Sequence, residues 1–149
     1  EDFTLAELRT LRARERLAFR SHAYDGQFAI PTLDEVLSLA DSAGRRRGRT
    51  VGVYPELKHP TYFTSIGLSL EKPLLDGLKA RGLDRRSAPV FIQCFEAAPL
   101  KALRSQTSVR LVLLMSDPTL ATPAGLRAIA QYANAVGVNS RMIVGASVA

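Results

Sequence analysis

The chain has 149 residues, enough for one domain with a sizeable core, and its 46% apolar and 23% charged content is that of a folded protein. Lysines and arginines outnumber aspartates and glutamates by 20 to 14, a formal net charge of +6, but the basic residues are dispersed. The one dense cluster, Arg45-Arg46-Arg47-Gly48-Arg49, has no aromatic residues between its charges, so no nucleic-acid platform is expected.

No apolar run reaches the roughly 18 residues of a membrane span. The single cysteine, Cys94, excludes an internal disulfide and a cysteine zinc cage, and reads as a small buried hydrophobe. The chain opens at Glu1-Asp2-Phe3 with neither an initiator methionine nor the grammar of a signal peptide, which reads as a segment of something longer.

Thr4-Leu-Ala-Glu7 is a capping box and predicts a helix with Leu5, Leu8 and Leu11 as its apolar stripe. Residues 18–30 read as loop, with Asp25-Gly26 as a turn. Thr32-Leu-Asp-Glu35 repeats the capping box and predicts a second helix, apolar along Leu33, Val36, Leu37 and Ala40 and ending near Gly44; the arginine cluster then falls in a loop. Residues 50–54 are the first strand and 59–68 a loop. Leu70, Leu74, Leu75 and Leu78 keep helical spacing up to Gly82, a C-cap.

Strands are predicted at 89–95, 109–115 and 135–138, with helices at 99–104 and from Pro123 onward, the latter carrying Leu126, Ile129, Ala130 and Ala133. The remainder, to Ala149, is small and apolar. Strands alternating with helices imply crossovers and a parallel sheet. A doubly wound open sheet and a slice of a (β/α)8 barrel both satisfy this order. Length alone favours the first, since a whole barrel needs roughly 250 residues; against it, no glycine-rich phosphate loop follows any strand.

The most informative stretch is Val51-Gly-Val-Tyr-Pro-Glu-Leu-Lys-His-Pro60. Strand residues two apart share a face, so Glu56 and Lys58 aim at one spot at a strand's C-terminal end, where parallel α/β folds place their chemistry. A hard cation on Glu56 and a phosphate bridging it to Lys58 would use both groups; a solvated ion pair closing a strand is the other reading. Gln93 shares a face with Phe91 and Phe95, and is either a contact to substrate or water, or an amide with an internal partner.

Four motifs occur in order: Asp2-Phe-Thr-Leu-Ala-Glu-Leu8, Ile30-Pro-Thr-Leu-Asp-Glu-Val36, Tyr54-Pro-Glu-Leu-Lys-His-Pro60 and Val90-Phe-Ile-Gln-Cys-Phe-Glu96. Together they resemble the glycerophosphodiester phosphodiesterase family, in the branch of secreted and periplasmic bacterial enzymes and their plant relatives. The resemblance implies a partial (β/α)8 TIM barrel of about four parallel strands, residues 1–149 being the central part of one barrel domain.

It further implies metal-dependent hydrolysis of glycerophosphodiesters to glycerol 3-phosphate and an alcohol, with a divalent cation, calcium or magnesium. Glu56 would be a metal ligand, and Lys58 and Gln93 would contact the substrate. The family's His-Arg and His-Asp pairs and its Glu-x-Asp motif have no match here, and His22 and His59 do not stand at catalytic positions. No catalytic residue is therefore expected in this segment, and the segment alone is expected to be inactive. Export to the periplasm or beyond follows only from the branch resembled. A non-catalytic barrel relative, or a flavodoxin-like module, that binds phosphate-bearing ligands is the alternative.

Overall fold

The computed structural model describes residues 2–144. Its elements, in chain order, are α1 (Leu5–Leu8), α2 (Leu33–Arg47), α3 (Pro60–Ser65), α4 (Glu71–Ala80), β1 (Phe91–Cys94), α5 (Ala97–Arg104), β2 (Arg110–Met115), α6 (Pro123–Ile129), β3 (Ala135–Val138) and α7 (Arg141–Val144), with a 3-10 turn at Pro118–Leu120. The chain divides into two compact units, Glu1–Leu39 and Ala40–Ala149.

In the first unit both capping boxes form. Glu7 N–H donates to Thr4 Oγ1 (3.3 Å) while the Glu7 carboxylate accepts from Thr4 N–H (2.7 Å). Glu35 and Thr32 repeat the exchange, at 3.3 and 2.7 Å. A cap nucleates a helix but does not sustain one without a face to bury. Accordingly α1 stops at Leu8, one turn long with no buried residue, and Leu11 lies beyond it.

Residues 13–28 form a closed loop. Ala13 N–H donates to the Phe28 carbonyl (2.8 Å) and Gly26 N–H to that of Ala13 (3.0 Å). Asp25 gathers Glu15 N–H (2.7 Å) and His22 Nδ1 (2.9 Å). The Glu15 amide first, and then His22, hold the Asp25 carboxyl below its ordinary value of 3.8.

The expected end of the second helix near Gly44 is corrected. The helix runs on to Arg47, and Gly48, at φ +61°, supplies the left-handed residue that stops it. Arg45, Arg46 and Arg47 form its last turn rather than a loop, where cations complement the helix dipole. Of its predicted stripe only Leu37 is buried.

The second unit is built on a parallel three-stranded sheet in the order β1-β2-β3. Phe91 pairs with Arg110 and Gln93 with Val112; Val112 pairs with Ala135 and Leu114 with Gly137. The predicted first strand, 50–54, is not a continuous strand. Residues 53–57 run parallel to β1 and join it by two separate bridges, Val53 to Val90 and Glu56 to Gln93.

Val53 N–H donates to Pro89 O (2.9 Å), Phe91 N–H to Val53 O (3.1 Å), Gln93 N–H to Pro55 O (2.9 Å) and Leu57 N–H to Gln93 O (2.9 Å). The missing rung is the one Pro55 cannot donate, and its loss splits the ladder. The predicted loop at 59–68 contains α3, begun by Pro60 at the first helical position, where a missing N–H costs nothing.

One face of the sheet is covered by helices. Ile92, Cys94 and Leu111 are wholly buried and Leu113 nearly so, α5 lies against β1 and β2, and α4 contributes Leu74, Leu75 and Leu78 to the core. On the other face lie Tyr54, Phe91, Gln93, Arg110, Val112, Leu114 and Gly137. This face is curved. A methyl group built on Gly137 would lie only 3.7 Å from the Tyr54 hydroxyl oxygen. Tyr54 stands three strand spacings away, roughly 14 Å in a flat sheet and more than its side chain spans.

Candidate active site

The site is assembled from the C-terminal ends of the 53–57 segment and β1. Alternation sends Pro55 and Leu57 toward the helices, with Leu57 only 4% exposed, and leaves Tyr54, Glu56 and Lys58 open on the opposite side. The rings of Tyr54 and Phe91 meet edge-to-face with centroids 6.0 Å apart, so these two neighbours share the curved face. By the same register Glu56 stands beside Gln93 on that face.

Among the described residues neither Glu56 nor Lys58 enters a hydrogen bond or ion pair. No ion pair forms between them, and both side chains are exposed. Gln93 is tied in place. Its Nε2 donates to the Tyr54 carbonyl (3.1 Å), while its backbone bonds Pro55 and Leu57. The internal partner anticipated for this amide is therefore Tyr54, and the amide oxygen has no partner among the described residues.

Below this level the face is closed by a stack. The Arg110 guanidinium carbon sits 3.8 Å from the centre of the Phe91 ring and donates from Nη2 to the Ala88 carbonyl (2.7 Å). Its Nε is buried with no hydrogen-bond partner among the described residues. Burial pushes the Tyr54 hydroxyl above its ordinary pKa of 10.0 and the Cys94 thiol above 9.0. Cys94 is wholly buried among the helix-facing residues, as its apolar neighbours suggested.

The chain turns sharply after Lys58. His59 adopts φ +52°, the only non-glycine among the described residues in the left-handed region, and caps α3 without a side-chain bond. Glu96, just past β1, accepts from Thr61 N–H (3.2 Å) and from the Thr61 hydroxyl. Asn139 accepts from Arg141 N–H (3.0 Å), a turn contact at the start of α7. The Thr61–Glu96 contact and the Arg110–Phe91 stack were not read from the sequence. A carboxylate directly after a strand was the available signal for the first, and a charge opening an otherwise apolar strand for the second.

Among the described residues no three His, Cys, Asp or Glu side chains come together to hold a metal ion. Calcium takes about six to eight oxygens. Glu56 is suited to be one anionic ligand, and the other ligands would have to come from elsewhere in the protein. A cavity of about 370 Å³ is lined by Phe95, Lys101, Met115, Asp117 and Tyr132 among others, and includes none of Glu56, Lys58 or Gln93.

The glycerophosphoryl diester phosphodiesterase family model matches residues 1–148. The chain belongs to this family. It is 36% identical over 133 residues to the glycerophosphodiester phosphodiesterase GDPD6 of Arabidopsis thaliana, covering 81% of this chain and 35% of that protein. A glycerophosphodiester phosphodiesterase of Haemophilus influenzae is 26% identical over 116 residues, 70% of this chain and 32% of its own length. One of Treponema pallidum is 25% identical, over 96% of this chain and 51% of its own length. The chain thus spans a third to a half of the curated relatives it matches. No helix among the described residues of this family member is long and apolar enough to cross a membrane.

Proposed function

We propose that these residues are the central part of a (β/α)8 barrel that hydrolyses glycerophosphodiesters to glycerol 3-phosphate and an alcohol. Support for the barrel comes from strand order. The 53–57 segment, β1, β2 and β3 lie side by side in chain order. Both common doubly wound sheets reverse direction after at most three consecutive strands, and the observed face curves as a closing sheet does.

The observation that carries the function is Glu56 and Lys58, unpaired, on one face at the strand end, beside a Gln93 locked to the same segment, in a chain of this family. Glu56 would be one ligand of a divalent cation, calcium or magnesium. When bound, such an ion withdraws charge from phosphate oxygens. Lys58 would place its ammonium against those oxygens, where negative charge grows in the transition state. The Gln93 amide oxygen, its Nε2 held by the Tyr54 carbonyl, would orient the substrate. With one candidate ligand among its described residues, the segment by itself is not expected to turn over.

In the full-length protein, Glu56→Gln keeps the shape and removes the charge. Assayed with glycerophosphocholine and excess calcium, it should lose at least about a hundredfold in kcat/KM, near 2.7 kcal/mol of transition-state stabilisation. Undiminished activity would remove Glu56 from the metal site. We also propose export to the periplasm or outside the cell, supported by the four motifs shared with that branch; recovery of the full-length protein in the cytosolic fraction would contradict it.

A further inference from the structure

We propose that Glu96 is a positioning residue for the catalytic end of the 53–58 segment, acting through Thr61. This rests on the hydrolase reading above and deepens it. The turn joining Lys58 to α3 holds two conformational conflicts. His59 is left-handed at φ +52° and ψ +44°, a region costly for any residue with a Cβ. It also precedes Pro60, whose ring disfavours helical backbone in the residue before it. Such a conformation persists only where its surroundings enforce it.

The enforcing contacts are on the page. Pro60 is buried. Thr61, the next residue, gives both its N–H (3.2 Å) and its hydroxyl to one oxygen of Glu96. Glu96 is itself anchored at the exit of β1, half-buried, with its own N–H donated to Cys94 Sγ (3.2 Å). One carboxylate therefore links the exits of two neighbouring strands, the pair across which Glu56 meets Gln93.

Glu96 is two residues beyond β1, and its bound oxygen is occupied by Thr61, so it acts on Glu56 and Lys58 through the 59–61 turn. Without it, the turn can relax toward the extended backbone that a residue before proline prefers, and Lys58 and Glu56 lose their common aim. A misplacement of about 1 Å costs up to roughly a hundredfold in rate.

The test uses the full-length protein with Glu96→Ala, Thr61→Val, the double variant, and Thr61→Ser as the conservative rescue. Two readouts are needed: amide hydrogen exchange at residues 58–62, and kcat and KM with glycerophosphocholine and calcium. Exchange at 58–62 should accelerate at least tenfold in Glu96→Ala and in Thr61→Val, with kcat falling about 10- to 100-fold and KM changing much less. The double variant should be no worse than Glu96→Ala, because the two residues form one unit. Thr61→Ser should restore both readouts.

Unchanged exchange in Glu96→Ala and Thr61→Val overturns the proposal, as does faster exchange with kcat intact. Equal kinetics per folded molecule, with only the melting temperature lowered, also overturns it. If the wild-type protein hydrolyses no glycerophosphodiester, the proposed function fails instead, and the exchange data still decide whether Glu96 governs the turn.

Discussion

Gly137 offers a test of the curved face by the sign of a stability change. It sits in β3 opposite Leu114, and a methyl group there would lie 2.6 Å from Leu114 Cδ2, 3.6 Å from Val112 Cγ1 and 3.7 Å from the Tyr54 hydroxyl oxygen. Carbon atoms in contact sit at about 3.5–4.0 Å, so the Leu114 contact is roughly 1 Å too short. Leu114 is half-buried and can yield, but Val112 and Tyr54 bound the space it would move into. Overpacking of this kind costs about 1–3 kcal/mol. Alanine also narrows the unfolded ensemble relative to glycine, which returns about 0.4–1 kcal/mol.

The expected net effect of Gly137→Ala is therefore a destabilisation of about 0.5–2 kcal/mol. It would be seen as a lower urea midpoint at unchanged slope in the full-length protein. In a Leu114→Ala background the obstruction is gone, and the same substitution should become neutral or stabilising. A raised midpoint for Gly137→Ala in the wild-type background would refute the reasoning, because it would mean that position 137 faces open space.

Two more outcomes follow from ionisable groups. Cys94 is buried and its thiol is pushed up by burial, so a maleimide at pH 8 should leave it unlabelled in the native protein and modify it only on unfolding; rapid native labelling would contradict its placement. Asp25 has a depressed carboxyl, so its contribution to the 13–28 loop is present above the ordinary value of 3.8 and is lost as pH falls through the lower folded-state value. Protection of the Glu15 amide should disappear in that acid window and be abolished at neutral pH by Asp25→Ala; protection independent of either would rule out this closure.

Features set by near neighbours were legible in the sequence. The boxes at Thr4 and Thr32 are exchanges across three residues, and both formed. The apolar run at 109–115 became β2, and 135–138 matched β3. Misreadings came where one residue carried two meanings. Gly44 looked like a helix stop but lies within α2, tucked against Arg49 O, which a Cβ there would approach to 3.0 Å. Pro60, expected within a loop, was a helix start. Pro55, just past the first predicted strand, splits the 53–57 ladder without turning the segment aside, because its carbonyl still accepts from Gln93.

At the site, period-two alternation put Glu56 with Lys58 and Gln93 with Phe91; that Gln93 stands beside Glu56 is a matter of register between neighbouring segments. The bond from Thr61 to Glu96 spans 35 residues, and no local rule reaches that far. The stacking of Arg110 on Phe91 is likewise a product of register between strands.

That stack sets the electrical character of the face. Arg110 lies two residues below the level of Gln93 and Val112, roughly 6.6 Å along the strand. An arginine stays cationic at any pH a protein survives. The Arg110 guanidinium therefore lends positive charge to the face beneath Glu56, a charge that dissolved salt screens.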